Sequence, residues 1–219
     1  MARSLSPTKI LIVDDHSMVR EGLRLRISAF PDLDVCGEAT TEDEAIEMVK
    51  QIHPDLVIVD ISLKSGHGIE LIKRIKAISP NIKILVASGF QESLYAERAL
   101  RAGALGYLNK QDSGEKVIEA IRTVLRGERY VSAEITQRLV SQALGNRSES
   151  TDPIDLLTDR ELEIFRLIGS GKTSAAIAEE LLLSTHTIDT HRENIKRKLG
   201  LKNAAELSCH AVQFLLENI

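Results

Sequence analysis

Tryptophan is absent from the 219 residues, and aromatic side chains make up only 3% of them. With 43% of its residues hydrophobic, the chain still has a core to bury, and that core is predicted to be aliphatic. The two cysteines, Cys36 and Cys209, lie far apart with no CxxC spacing. Both are read as reduced, buried, small hydrophobes of a cytosolic protein. No apolar run approaches the roughly 18 residues of a membrane span, and the opening MARSLSPTK lacks the apolar stretch of a secretion signal. These absences predict a cytoplasmic protein with no membrane partner. Internal repeats are missing too. The net charge is −4, so any contact with nucleic acid has to come from a local basic patch.

From Lys9 to Gly127, short apolar runs alternate with amphipathic stretches. The runs are KILIVDD, DVCGEA, DLVIVDIS, KILVASG and GYLNK. Helical spacings of three and four fall between them, as in Ala45, Ile46, Met48, Val49 and Ile52, or Val117, Ile118, Ile121, Val124 and Leu125. Five strands alternating with five helices predict a parallel sheet covered on both faces. In such sheets ligands bind outside the carboxyl ends of the strands.

Those ends are polar in a particular way. The first run closes on two adjacent carboxylates, Asp14 and Asp15. One Asp suffices to cap a helix, whereas two like charges held together are costly unless a cation joins them. The third run ends in Asp60. With strands one and three side by side, the three acids converge into a hard-oxygen site suited to Mg2+. Ser88 brings a hydroxyl to the same edge, and Lys110 brings an ammonium. The set reads as a site waiting for a cation and a phosphoryl group. His16 and His67 flank it and are assigned no role.

Residues 9–127 resemble a two-component receiver domain, with VDD, VDIS, ASG and GYLNK in the expected order. The resemblance implies that Asp60 is the phosphoacceptor. It also implies that Asp15, Asp60 and the backbone carbonyl of Ser62 ligate Mg2+, with Asp14 helping through a water. Ser88 would hydrogen-bond the phosphoryl oxygen, Lys110 would pair with it, and Tyr107 would rotate with activation. The loop after Asp60 has Lys64 where the family usually carries proline.

The polar stretch GNRSESTDP reads as a linker after a helical segment near SAEITQRLVSQAL. Four short helices follow from Leu157, the first opened by a capping box, Thr158 with Glu161. Ala176, Ile177 and Leu181 form the inner face of the second. In the third, Ile188, Ile195 and Leu199 face inward with His191 beside them, and His186, Thr190, Glu193 and Arg197 face out. Arg192, Lys196, Arg197, Lys198 and Lys202 make the local basic patch that suits phosphates. Residues 155–217 resemble the LuxR-type helix-turn-helix of NarL/FixJ regulators. By that resemblance Asp189, Thr190 and Glu193 hold base-reading positions, and Thr187, Arg192, Lys196 and Arg197 complete the DNA-binding set. His191 is left between packing and a phosphate contact. The last helix, with Ala204, Ala205, Leu207, Ala211, Val212 and Leu215, has an apolar side that can carry a C-terminal dimer contact, with core packing the use of most of it.

Together these readings imply an α/β flavodoxin-like (βα)5 receiver over residues 8–129 and a linker helix with flexible linker over 130–153. An all-α four-helix helix-turn-helix domain follows over 154–219. The implied protein is a transcription regulator and not an enzyme. A sensor histidine kinase phosphorylates Asp60 and so alters dimerisation, or exposure of the helix-turn-helix, on double-stranded DNA, where the chain is a homodimer. Two alternatives stand beside it. A Mg2+-dependent phosphohydrolase with a DNA-binding tail needs a second acid two residues after its nucleophile, where Ser62 stands. A phosphate-independent DNA-binding module usually loses the acid pair or the lysine, and this chain keeps both.

Overall fold

Five parallel strands form one sheet in the order β2-β1-β3-β4-β5. They are β1 (Thr8–Val13), β2 (Leu33–Ala39), β3 (Leu56–Val59), β4 (Lys83–Ser88) and β5 (Gly106–Asn109). The computed structural model describes residues 6–63, 67–143 and 153–217. Contacts divide the chain into two compact units, Met1–Val140 and Ser141–Ile219.

The strands are rich in Ile, Leu and Val, which suit a pleat covered on both sides. Ile10, Leu11, Leu56, Val57, Ile84 and Leu85 have no exposed surface. Helices α1 (Ser17–Ser28), α2 (Glu42–Ile52), α3 (Gly68–Ile78), α4 (Glu92–Ala102) and α5 (Gly114–Leu125) make the crossovers. Alternate strand residues Ile10, Ile12, Leu56, Ile58, Leu85 and Ala87 pack with Leu23 and Ile27 of α1 and Val117 and Ile121 of α5. The chain winds one way from β1 and the other way from β3. The reversal opens a crevice at the carboxyl ends of those two strands.

The free edge of β5 is covered by the chain itself. Tyr107 N–H donates to the Tyr130 carbonyl at 2.8 Å, and Tyr130 N–H donates to the Leu105 carbonyl at 3.0 Å. Helix α6 (Ala133–Ala143) follows. Ile135 is buried, and the backbone N–H of Ser132 donates to Glu92 Oε1 at 2.7 Å.

The second unit holds a 3-10 turn (Pro153–Leu156) and helices α7 (Asp159–Gly169), α8 (Ser174–Glu180), α9 (Thr185–Leu199) and α10 (Ala204–Glu217). The capping box at Thr158 and Glu161 is formed. Gly169 permits a close helix crossing, because a Cβ there would lie 2.3 Å from the Ala211 carbonyl oxygen.

Several side chains sit otherwise than the sequence predicts. Cys209 is exposed and Cys36 only half-buried. The inward face of α10 is set by Leu207, Ala211 and Phe214, so position 209 turns outward. Cys36 is the unpaired residue where the β1–β2 register shifts between Ile10 and Leu11. Ala176 is exposed, and Ala178 takes its place beside Ile177 and Leu181. Leu199, near the open end of α9, is only half-buried. Ala204, Ala205 and Val212 are exposed, so less of the apolar side of α10 is spent on packing than expected. The core is mainly aliphatic, yet Tyr95 and Phe165 are its largest fully buried side chains. Of the linker GNRSESTDP only Pro153 falls among the described residues, and Lys64 lies outside them.

Candidate functional site

Register fixes where the polar residues emerge. Val13 pairs with Val59, so Asp14 and Asp60 leave their strands at the same level. Asp60 N–H donates to the Val13 carbonyl at 2.8 Å, the last rung of that ladder. Ser88 pairs with Asn109, and Lys110 N–H donates to the Ser88 carbonyl at 2.9 Å. The Lys110 ammonium then lies between two acids, with Nζ 2.6 Å from Asp14 Oδ2 and 2.8 Å from Asp60 Oδ2. Asp14 and Asp60 are each 2% exposed. The sequence-predicted set of Asp14, Asp15, Asp60, Ser88 and Lys110 is thus gathered at one end of the sheet.

The electrostatics are those of a site short of positive charge. Burial pushes the Asp60 carboxyl above its ordinary range; Lys110 pulls it back and the Asp14 charge adds to the rise. For Lys110 burial acts downward, but the Asp60 and Asp14 carboxylates outweigh it and hold the ammonium above its usual value. A carboxylate paired with its own lysine ordinarily falls. Asp60 rises because the cost of burial outweighs the pull of Lys110, and the neighbouring Asp14 charge adds to it. Asp60 Oδ1 finds no donor at hydrogen-bonding geometry among the described residues, although the nearby Ser62 backbone favours the ionised form. Asp14, Asp15, His16 and Asp60 each offer a ligand atom, all within 4.8 Å of one another. Buried oxygens of this kind fit a small divalent cation.

Two neighbours of the cluster were not assigned from the sequence. His16 N–H donates to Asp14 Oδ1 at 2.8 Å, and its ring Nδ1 lies 2.8 Å from Asp15 Oδ1. Arg20 Nη1 donates to the Asp14 carbonyl at 2.7 Å, tying α1 to the strand end. The VDDH spacing alone carries a signal for His16; Arg20, one helical turn later, carries none.

Around the crevice the loops are held by backbone contacts. Gly68 opens α3 against the loop after β3, and a Cβ there would lie 2.1 Å from the Asp60 carbonyl oxygen. His67 is buried and Nδ1 accepts from Ile69 N–H at 3.2 Å, capping α3. Its own N–H donates to Glu42 Oε1 at 2.6 Å, and Arg74 Nη1 holds Glu42 Oε2 at 2.8 Å. Ser88 has no exposed surface, and its Oγ accepts from Phe90 N–H at 3.2 Å. Tyr107 is buried, and its hydroxyl donates to the Phe90 carbonyl at 2.9 Å.

In the second unit α9 offers a polar face. Ser184 caps it by accepting from Thr187 N–H at 3.0 Å, and Gly200 ends it in the left-handed region at φ 67. Ile188 and Ile195 face inward. His186, Asp189, Thr190, Glu193 and Arg197 are exposed, while Thr187, Arg192 and Lys196 are partly so. Lys196 Nζ lies 2.8 Å from Glu193 Oε1, and Arg197 donates to Asn194 Oδ1 at 2.9 Å. Lys198 turns away from this face to Glu161, at 2.6 Å. His191 packs: its Nδ1 is buried without a hydrogen bond among the described residues, and burial lowers its pKa.

Comparison with known proteins agrees with both halves. A response regulator receiver domain matches residues 10–122, and the luxR family of bacterial regulatory proteins matches residues 155–211. The chain belongs to the response regulators. This response regulator is 37% identical over 210 residues to the oxygen regulatory protein NreC of Staphylococcus aureus, covering 94% of this chain and 97% of NreC. It is similar to RcsB of Salmonella enterica serovar Typhimurium, solved on a promoter with the phosphomimetic BeF3−. There the identity is 25%, the coverage 94% of this chain and 98% of RcsB, and the TM-score 0.65. A LuxR-family two-component response regulator from Aurantimonas sp. SI85-9A1 is 34% identical, covering 64% of this chain and 99% of its own, with a TM-score of 0.58. The response regulator therefore joins a receiver to a LuxR-type DNA-binding domain as a transcription regulator, and phosphorylation control is implied by its family. Among the described residues no helix is long and apolar enough to cross a membrane.

Proposed function

We propose that a sensor histidine kinase phosphorylates Asp60, and that this switches a homodimer of the chain on double-stranded DNA in the cytoplasm. The carrying observation is the Lys110 ammonium lying 2.6 Å from Asp14 and 2.8 Å from Asp60 at the carboxyl ends of the strands. In this reading residues 8–129 are the receiver, 130–153 the linker helix and linker, and 154–219 the DNA-binding domain.

The chemistry follows from the charges. An ionised Asp60 oxygen attacks phosphorus and needs no general base. The phosphorus–nitrogen bond of the donor phosphohistidine breaks, its electron pair returns to the imidazole, and an acyl phosphate is left on Asp60. Lys110 and the Ser88 hydroxyl bind the arriving oxygens and hold them in line. Asp15, Asp60 and the Ser62 carbonyl would hold Mg2+, with Asp14 reaching it through a water; when bound, the ion neutralises charge on the phosphoryl oxygens. Tyr107 is tied through its hydroxyl to Phe90, two residues after Ser88. A shift of Ser88 toward the phosphoryl group would release that bond and let the ring turn.

On α9, Asp189, Thr190 and Glu193 would face base edges, and a carboxylate there accepts from cytosine N4. Thr187, Arg192, Lys196 and Arg197 would meet the backbone. RcsB, bound to a promoter with a phosphomimetic and also as dimers on DNA, supports this reading. The test is chemical. Incubation with acetyl phosphate and Mg2+ should place one hydroxylamine-labile phosphoryl group on Asp60, located by mass spectrometry. Undiminished labelling of Asp60→Asn would overturn the assignment.

A further inference from the structure

We infer that His16 is a nitrogen ligand of the acidic pocket, making it a site for first-row transition-metal dications such as Mn2+, Ni2+ or Zn2+ as well as for Mg2+. The inference rests on the metal-binding reading of the aspartate cluster and adds to it a donor of different chemistry.

The geometry is that of one coordination sphere. His16 Nδ1 lies 2.8 Å from Asp15 Oδ1 and 3.3 Å from Asp14 Oδ1. With metal–ligand bonds of about 2.1 Å, neighbouring ligand atoms lie roughly 3.0 Å apart in an octahedron and roughly 3.4 Å apart in a tetrahedron. The imidazole nitrogen already stands at these edge lengths from two carboxylate oxygens. The ligand atoms of Asp14, Asp15, His16 and Asp60 all fall within 4.8 Å of one another. A second observation also points to a cation: Asp60 Oδ1 is buried and lacks a hydrogen-bond donor among the described residues.

The ring is placed by the backbone. His16 is the N-cap residue of α1, and its own carbonyl accepts from Val19 N–H at 3.1 Å and Arg20 N–H at 3.2 Å. Its N–H is held by Asp14, and its side chain is 58% exposed, so a ligand bond costs little rearrangement. Hydrogen bonding alone explains the contact with Asp15 but gives the ring no place in the ligand set. Imidazole discriminates among metals. It adds little to Mg2+, which prefers oxygen and retains its waters, and it strengthens binding along the series from Mn2+ toward Ni2+ and Zn2+.

The experiment uses the full chain loaded with Mn2+, which is paramagnetic and enters the same pocket as Mg2+. Electron spin-echo spectroscopy of protein grown with 15N-histidine should show nitrogen coupling in wild type and none in His16→Gln. Displacement of Mn2+ counts only ions entering that pocket. Ni2+ and Zn2+ should displace it about tenfold less well from His16→Gln relative to wild type, while Mg2+ competes within twofold of its wild-type value. Absence of nitrogen coupling in wild type, or an equal loss for all three ions, overturns the inference. Failure of the aspartate reading looks different: Mn2+ would then bind Asp60→Asn and Asp15→Asn as tightly as wild type. Circular dichroism of each variant keeps a folding defect separate from a lost ligand.

Discussion

Asp60 is 2% exposed, and burial holds its carboxyl above the ordinary range despite Lys110. The folded chain therefore binds that proton more tightly than the unfolded chain. A raised folded pKa gives a contribution to stability that is full below the unfolded value and is lost as pH rises through the folded one. At neutral pH and without metal, the charge on Asp60 works against the fold. Asp60→Asn should then raise unfolding stability by about 1 kcal/mol at pH 7, and the gain should vanish below about pH 4, near the ordinary carboxylate range. Urea denaturation of metal-free protein at both values checks this; a loss at pH 7 would mean that the Lys110 pair outweighs burial. The acids, Ser88 and Lys110 are legible in the sequence because each ends an apolar run, and a strand's end is a place periodicity can find. Of His16 only the place beside the acids is legible, and Arg20 and the Glu42–His67–Arg74 link are not. Their positions depend on a cap geometry and on contacts 25 and 32 residues apart in sequence, which no local spacing encodes.

Elements meet at a few positions where a single atom decides the packing. A Cβ at Gly68 would overlap the backbone of Asp60 at 2.1 Å, and backbone cannot give way as a flexible side chain can. Gly68→Ala should cost roughly 2–4 kcal/mol, the scale of a severe core misfit, and should lower the phosphorylation rate with it. Thermal unfolding and acetyl phosphate labelling of the same sample would show both. Between α7 and α9 the clamp is Glu161, which joins the Thr158 cap to Lys198. Burial pushes its carboxyl up, yet Lys198 and Thr158 prevail and hold it low. A lowered folded pKa gives stability that is present above the unfolded value and lost as pH falls through the folded one. Glu161→Gln should cost about 1–3 kcal/mol at pH 7 and progressively less in acid, measured by denaturation across that range. The capping box was visible in the sequence as four residues. Its lysine, 37 residues away, was not, and it turns one member of the apparent basic patch into a structural residue. The alternation of five strands with five helices in the first unit followed from periodicity; the order of the strands in the sheet did not. Nor did the outward turn of Cys209, because on α10 apolar residues occur on more than one side and only packing against α7 selects the inner one.

Across the whole molecule the charge is −4, so in the proposed reading the attraction for DNA comes from the local cations of α9. One short helix in a major groove makes few base contacts, so a single DNA-binding domain should bind weakly. Two on half-sites about one helical turn apart bind far more tightly through their effective concentration. In the proposed switch, control by the receiver amounts to a change in the population able to bind as a pair. A full swing from mostly off to mostly on needs roughly 5.5 kcal/mol of differential stabilisation, and new phosphoryl contacts to Ser88, Lys110 and a metal are of the kind that contribute to it. The measurement that bears most directly on this coupling is the affinity of full-length protein for a promoter fragment, with Mg2+ and with or without beryllium fluoride, in wild type and Asp60→Asn. The account predicts that beryllium fluoride tightens wild-type binding at least tenfold, about 1.4 kcal/mol, and leaves Asp60→Asn unchanged. An equal response from both proteins, or no response from wild type with the mimic bound, would contradict it.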